Sequence, residues 1–551
     1  MTDTRRALLW GIFSVSLVML WDGWNKHNGQ PSMFAPPVAA SAAAAGSAPG
    51  VPAAPAQPAG VAPLPGLAAG GEPSRTIDIS TDLVRASIDT RGASLVGLTL
   101  PRYRDEHDTS KPVMLFDRSA QRVYQADSGL IPQLAGQAAL PNHTTPMTLV
   151  PGPLTLADGQ NELAVSFESA EQGGVKLRKT YVFKRGDYAV RVRHEVLNTS
   201  AAPVAAQLYL QLARDGTVPS TSIFMGPAAF TGPAVYTDAA KFQKVDFADI
   251  EKSKADHEKS ADNGWIAMVQ HHFVGAWIFN DKVARSFQTK REGTNLYSVA
   301  MTLPVDAIAP GATKTVETTL YAGPQEENKL EALAPGLELV KDYGWVTMLA
   351  KPLFWLLDKL HGLIGNWGWS IVALVVLLKI AFYWLNASAY RSMGKMKAVN
   401  PKIMEIRERY KADPQKMQQE MMRIYREEKV NPLGGCLPIF IQMPFFIALY
   451  SVLLASVEMR GAPWIGWITD LSVQDPYYIL PALMTVTTLF QTWLNPTPPD
   501  PVQAKMMWIM PLLFSVMFIF FPAGLVLYWF VNNLLSIAQQ WMINRQLGLN
   551  R

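Results

Sequence analysis

The sequence predicts a multi-domain membrane protein with an N-terminal anchor helix, a large all-β sandwich domain and a five-helix α-helical transmembrane core. Three observations predict it: an apolar run behind two arginines at the start, period-two alternation through the middle, and long apolar stretches in the last third. The bulk numbers agree. The 551 residues have room for two or three domains, and a hydrophobic content of 49% is high for a purely soluble chain. A net charge of +4 is too small to argue for a nucleic-acid partner. The single cysteine, Cys436, excludes an intramolecular disulfide and any Cys-cluster metal site.

Residues 1–24 place Arg5 and Arg6 before fifteen apolar or small residues, Ala7–Trp21, followed by Asp22. This reads as a signal peptide or a short signal anchor with its N-terminus inside. No small-residue cleavage site directly follows the run, which favours an uncleaved anchor. Residues 25–74 read as a tether, because 31–73 are almost entirely Ala, Pro, Gly, Ser and Val, with ten prolines, and cannot bury a core. From 75 to 325 the texture becomes short alternating segments such as "ELAVSFES" and "AQLYLQLA" with Gly, Asp, Asn and Pro in the gaps, as expected of two packed β-sheets. Residues 337–364 return to helical spacing: Leu349, Leu353, Leu356, Leu357, Leu360 and Ile364 share a stripe that omits Lys351, Asp358, Lys359 and His361. An amphipathic helix in the membrane interface fits.

Five spans are then expected at 366–390, 436–458, 477–494, 506–521 and 524–543, the last two joined tightly through Pro522 and Ala523. Pro438, Pro444, Pro481 and Pro511 suggest kinks around a cavity. The stretch 391–435 between the first two spans holds eleven Lys and Arg, whereas the loop from Met459 to Pro476 holds only Arg460. The basic stretch is therefore cytoplasmic, which puts both termini, including a short tail at 544–551, in the cytoplasm and the β domain outside. Within it, Asn400-Pro401 and Asp413-Pro414 read as two helix starts, so a helical hairpin is expected, with Met417, Met421, Ile424 and Tyr425 on one face.

Lys379 interrupts the first of these spans. It lies twelve residues from both Trp367 and Arg391, roughly 18 Å along a straight helix from either end. From Leu437 to Val457, Tyr477 to Leu494 and Met506 to Ile543 there is no Asp or Glu to pair with it. These stretches carry uncharged polarity instead, including Gln442, Thr485, Thr487, Thr488, Gln491, Thr492, Asn532, Asn533, Gln539 and Gln540. A hydrated positive pocket follows. It asks for a ligand from outside, either a small anion in a transporter or the polar or acidic flank of a polypeptide entering the bilayer.

The stretches "EKVNPLGGCLPIFIQMPFFIALY", "DLSVQDPYYILP" and "FPAGLVLYWFVNN" closely resemble the YidC/Oxa/Alb family of membrane protein insertases, over about residues 337–551. The anchor, tether and β domain are similar to the family's Gram-negative form in layout. The resemblance implies an insertase and membrane chaperone of the bacterial inner membrane, with a hydrophilic groove open to the cytoplasm and to lipid. Lys379 occupies the place of a groove-facing basic residue that the family more often has as arginine. Gln442, Asn532 and Asn533 would belong to the groove, with Asn533 helping to keep it wet and Gln442 facing substrate; Met443, Pro444, Phe445, Tyr528 and Trp529 look like substrate contacts at a lateral exit. The cytoplasmic hairpin, with Arg407, Arg409, Met417, Met421 and Tyr425, would receive substrate. Implied partners are nascent membrane proteins, the lipid bilayer, the Sec translocon and, more weakly, the ribosome or signal recognition particle pathway, with no direct nucleic-acid contact. Transporter folds often carry duplicated halves, and none is visible here, which weighs against the small-anion reading.

No catalytic residues, cofactor or metal site are expected: there is no Walker-type phosphate loop and no His-Glu-x-x-His spacing. In the β domain, which the resemblance likens to a sugar-enzyme sandwich, His194 falls on an apolar face and reads as a core histidine. His271 and His272 are expected on opposite faces of one strand. Cys436 reads as a small buried residue at the cytoplasmic mouth of the second core span.

Overall fold

The computed structural model describes residues 63–66, 74–105, 108, 110–119, 121–218, 229–411, 413–428, 437–495 and 501–546. The expected anchor, most of the tether, Cys436 and the end of the tail lie outside the described residues.

Strands between Thr76 and Pro324 form two nine-stranded sheets with antiparallel ladders. In one, Val204–Asp215 runs between Val123–Pro132 and Leu296–Ile308. In the other, Ala189–Asn198 runs between Val175–Lys184 and Thr313–Pro324. The alternation read from the sequence is the inside–outside pattern: in Glu162–Ser169 the buried side chains are Leu163, Val165, Phe167 and Ser169. Trp277 and Tyr124, each fully buried, satisfy their polar ends on the backbone, Trp277 Nε1 donating to Gln211 O (3.1 Å) and Tyr124 Oη to Met268 O (3.0 Å).

The core also contains polar groups. The Lys179 ammonium donates to Gly92 O (2.6 Å) and Ser128 O (2.5 Å), and burial pushes its pKa down to about 7. His194 is buried as expected, hydrogen-bonded through Nε2 to Ser128 Oγ (2.9 Å), and burial pushes it down to about 3.

His271 and His272 are a correction. They do not lie on opposite faces of one strand; they form the two-residue turn of a hairpin in which Gln270 pairs with Phe273. Their rings stack at 3.7 Å, and both Nε2 atoms donate to Leu454 O, at 3.2 and 2.9 Å. Leu454 is in the last turn of a core helix, where carbonyls lack helical partners. Since a carbonyl only accepts, His272 Nδ1 is left to accept from Arg460 Nη1 (3.1 Å). A second junction is built on Lys341, fully buried, with its ammonium 3.0 Å from both Glu458 oxygens and 3.6 Å from the Phe354 ring centre.

The helices are α1 (Phe247–Glu251) and α2 (Glu327–Leu333) in or beside the β domain, then α3 (Thr347–Ile364), α4 (Trp367–Ala381), α5 (Tyr383–Arg409), α6 (Pro414–Glu427), α7 (Leu437–Ala455), α8 (Ile479–Leu494), α9 (Pro501–Phe518) and α10 (Ala523–Gln546). Helix α10 packs on α4 and α8, and α3 on α7 and α4. The helix expected in the interface begins at Thr347 rather than 337, after two short 3-10 turns. Leu353 and Leu357 of its expected stripe are buried and Leu349, Leu356 and Leu360 pack partly, but Ile364 is exposed.

The first expected span is not one straight helix. It breaks at Phe382 (φ −91°, ψ 9°), and α4 and α5 are bent by 67°. Neither Pro nor Gly stands at the break; the Phe382 ring packs edge-on against Phe445 of α7, centroids 5.1 Å apart. The second limb then continues unbroken through Pro401, which is not a helix start: its neighbours Val399 and Ile403 are buried against Met421, Ile424 and Tyr425 of α6, and this packing carries the helix through the missing N–H. Asp413-Pro414 does start a helix, Asp413 Oδ1 accepting from Lys416 N (3.1 Å). Pro481 stands in the first turn of α8, where it is tolerated without a kink, while Pro444 and Pro511 are interior. Helix α9 ends at Phe518, earlier than expected.

Among the described residues no single helix is long and apolar enough to cross a membrane; α4 and α5 pass only as a bent pair. Two causes are visible. Helix α8 has 16 residues, about 24 Å. Helix α10 has 24, but Asn532, Asn533, Ser536, Gln539 and Gln540 interrupt its apolar character.

Candidate functional site

Lys379 stands in the last turn of α4, two residues before that helix ends. This corrects its expected place in mid-helix: it sits beside a bend, where the carbonyl end of α4 favours a cation. It is half-buried, and its ammonium donates to Ser536 Oγ (2.7 Å) of α10. No Asp or Glu stands in α4 or in α7–α10 to pair with it.

Two adjoining cavities meet at this lysine. One, about 190 Å³, is bordered by Met443, Phe445 and Phe446 of α7 and Tyr528 of α10. The other, about 370 Å³, is bordered by Asn386 and Tyr390 of α5, Thr488 and Gln491 of α8 and Asn533 and Ser536 of α10. Lys379, Gln442, Trp529 and Asn532 line both. An apolar chamber and a polar chamber therefore share one charged boundary.

The polar wall is built by helix periodicity. Asn532, Ser536 and Gln540 are spaced by four on α10, and Ser536 Oγ donates back to Asn532 O (2.7 Å). Asn533 Nδ2 donates to Thr488 Oγ1 (2.8 Å), and Gln442 Nε2 to Asn386 Oδ1 (3.0 Å), so α10 is tied to α8 and α7 to α5. Asn386 Nδ2 is buried with no hydrogen-bond partner. Such a donor beside a polar cavity is a place for water or another acceptor. Helix α8 is oriented by Asp475, almost completely buried, whose Oδ1 accepts from Trp467 Nε1 (3.1 Å) and Tyr477 N (3.0 Å) and whose Oδ2 accepts from Leu480 N (2.7 Å).

The apolar wall is aromatic. Phe446 packs edge-on to Trp529 (4.5 Å) and beside Tyr528 (6.0 Å), and Met443 is 46% exposed at the rim. Of the expected site residues, the structure brings together Lys379, Gln442, Asn532, Asn533, Met443, Phe445, Tyr528 and Trp529. Pro444 borders neither cavity. Arg407, Arg409, Met417, Met421 and Tyr425 belong to the α5–α6 hairpin: Arg409 pairs with Glu405 (2.9 Å), Met421 and Tyr425 pack on α5, and Met417 is half-buried. Asn386, Tyr390 and Ser536 were missed as site residues. Ser536 was accessible as the residue one turn beyond Asn532.

The site's chemistry is donors, acceptors and one cation beside an apolar exit, with no nucleophile–base pair; among the described residues no metal-ligating cluster occurs. Residues 76–356 match the YidC periplasmic domain and 359–549 the 60Kd inner membrane protein family. The chain belongs to the YidC family of membrane protein insertases. The membrane protein insertase YidC of Cupriavidus necator is 57% identical over 99% of this chain and 98% of its own length. That of Ralstonia nicotianae is 55% identical over 100% and 99%. A solved structure of an active YidC insertase is similar at 19% identity and a TM-score of 0.40, over 87% of this chain and 94% of that one. The β domain is accordingly the periplasmic domain of a YidC-family inner-membrane protein, and the helices after it are the family's membrane core.

Proposed function

We propose that this insertase works by receiving the polar flank of a nascent membrane protein in the chamber around Lys379 and releasing the apolar segment past Met443, Phe445 and Tyr528. The observation that carries the reading is the single boundary of Lys379, Gln442, Trp529 and Asn532 shared by a polar and an apolar cavity. A polar segment crossing bare hydrocarbon leaves unsatisfied groups costing several kcal/mol each. Side-chain amides, hydroxyls and trapped water in a partial-depth groove replace those contacts and lower the barrier. The following apolar helix then partitions into lipid by its own transfer free energy, so no nucleotide, cofactor or catalytic step is required.

On this reading the α5–α6 hairpin beyond Tyr390, within 391–435, is cytoplasmic and takes delivery of the client from the ribosome or signal recognition particle pathway, and the protein acts alone or beside the Sec translocon. Both termini are cytoplasmic, and the β domain scaffolds the core without turning over a sugar. The test is photo-crosslinking in proteoliposomes, with a photoreactive residue at Gln442, Met443 or Asn532 against Val486 or Leu513, both 64% exposed on the outer faces of α8 and α9. A stalled single-span client is expected to crosslink from the first three and not from the last two. Crosslinks from Val486 and Leu513 alone would place the client on the outside of the bundle and remove the groove from the mechanism.

A further inference from the structure

A third cavity lies apart from the groove, where the end of α3, the turn into α4 and the loop after α7 meet. Its volume is about 320 Å³, and His361, Gly365, Asn366, Glu458, Arg460 and Gly461 are among its lining. The site is built rather than incidental. Asn366 Nδ2 donates to Pro463 O (3.0 Å) and Trp464 O (3.3 Å) while its Oδ1 accepts from Trp369 N (3.0 Å), so one side chain fastens the turn to the loop. The His361 ring lies flat on Trp367, centroids 3.9 Å apart and planes within 7°. Gly365 and Gly461 both take left-handed φ, 75° and 68°, and a Cβ on either would meet nothing within 4 Å, so both border open space. Glu458 is already held by Lys341 through both oxygens.

The residues next to these lining segments in the sequence have a different character: Leu363 (84%), Trp369 (46%), Ile465 (52%) and Ile364 are exposed. A polar cavity holding His361 and Arg460, whose Nη1 and Nη2 already donate to His272 Nδ1 and Arg104 O, with bare aliphatic and aromatic side chains next to its lining segments in the sequence, matches an amphiphile with a compact acidic head. A free phosphate or a peptide acid would meet the interior and leave those side chains in water.

We propose that this cavity binds the headgroup of a phospholipid of the periplasmic leaflet, its phosphate toward Arg460 and His361 and its acyl chains along Leu363, Ile364, Trp369 and Ile465. The proposal rests on the reading that α3 and the start of α4 lie at the outer membrane surface. A lipid held there fixes the height of α3 and, through Glu458 and Arg460, the junctions on which the β domain sits.

The test is native mass spectrometry of the delipidated full chain titrated with phosphatidylethanolamine, with diacylglycerol of the same chains, and with glycerophosphoethanolamine. Asn tolerates left-handed φ, so the Gly365→Asn/Gly461→Asn variant puts side chains into the cavity without backbone conflict. His361→Phe keeps the stack on Trp367 and removes the ring nitrogens. One tightly retained phosphatidylethanolamine is expected on the native chain, weakened about fivefold or more in both variants. Diacylglycerol and the chainless diester are expected to bind far more weakly than the whole lipid. Equal lipid retention by all three proteins overturns the site, equal binding of diacylglycerol overturns phosphate recognition, and equal binding of the chainless diester replaces the lipid by a soluble phosphodiester. No client is present in this titration, so its failure leaves the groove mechanism standing, and failure of groove crosslinking leaves this site standing.

Discussion

Replacing Lys379 tests the charge in the groove. In Lys379→Ala the Ser536 hydroxyl loses one donor but keeps its own bond to Asn532 O (2.7 Å), so the polar wall stays connected and the change removes charge more than structure. A client carboxylate drawn to about 6 Å from the ammonium gains about 3 kcal/mol at an effective dielectric of about 20. Desolvation of the carboxylate consumes part of that gain, leaving about 1.5–2.5 kcal/mol, or a rate effect of roughly ten- to seventyfold. The assay is insertion of a short single-span client into proteoliposomes holding native protein, Lys379→Arg, Lys379→Ala or Lys379→Glu, with an acidic or a neutralised external tail. Arg is expected to support the acidic client, Ala to slow it by that factor and Glu to slow it further. Neutralising the tail is expected to rescue Ala. Equal insertion of the acidic client by all four would refute the charge-receptor argument and leave Lys379 a hydration or packing role.

Two further outcomes follow from buried polar groups. Lys179 titrates at about 7 in the fold against 10.5 when exposed, so between those values the unfolded chain holds more protons and stability rises with pH, by up to about 1.4 kcal/mol per pH unit at the steepest. His194, held down to about 3 against 6.5, adds a rise of the same sign between pH 3 and 6.5. Hydrogen exchange of the β-domain strands in the full chain is expected to slow from pH 7 to 9 after correction for intrinsic rates, and Lys179→Met to abolish that trend; a native profile that is flat or reversed would contradict it. Asp475→Ala strands the Leu480 and Tyr477 amides and the Trp467 indole, and is expected to destabilise the α8 end by about 2–4 kcal/mol, read as faster exchange in α8, with Asp475→Asn retaining much of the loss.

What could be read from the sequence followed from how local its cause was. The sandwich was legible because each strand carries its own period-two record, as Leu163, Val165 and Phe167 do. The His271–His272 turn was not, since two histidines lack the Gly, Asn or Pro signal that marks a hairpin, and His272 still takes φ 66°. The bend at Phe382 carries no Pro or Gly, its visible partner is Phe445, 63 positions away, and no local rule announces it. Pro401 misled in the opposite direction, because burial of Val399 and Ile403 outweighs proline's local preference. In the groove, Lys379 was conspicuous as a charge in an apolar run, whereas Ser536 and Asn386 look like any small polar residue until α4, α5 and α10 are placed together. The stretch around Asp475 was recognisable as a motif, but its cause, a buried carboxylate capping α8 and holding Trp467, needed the fold.

The short α8 and the polar α10 act together on the same barrier. At about 24 Å, α8 falls short of a hydrocarbon core of about 30 Å, and a bilayer meets such a helix by thinning beside it. Helix α10 is long enough, but its polar face from Asn532 to Gln540 is turned to α8 and α5 through Asn533–Thr488 and Gln539–Tyr383 contacts, so its polarity is spent inside the bundle rather than against lipid. The two helices pack directly on one another. On the proposed mechanism, a client's polar flank entering beside Asn532 faces less hydrocarbon than a full span and finds partners along much of the way. Lengthening α8 by a turn of leucine would restore the thickness without touching any groove residue. If the proposed mechanism holds, that insertion should slow clients with long polar tails more than clients with short ones.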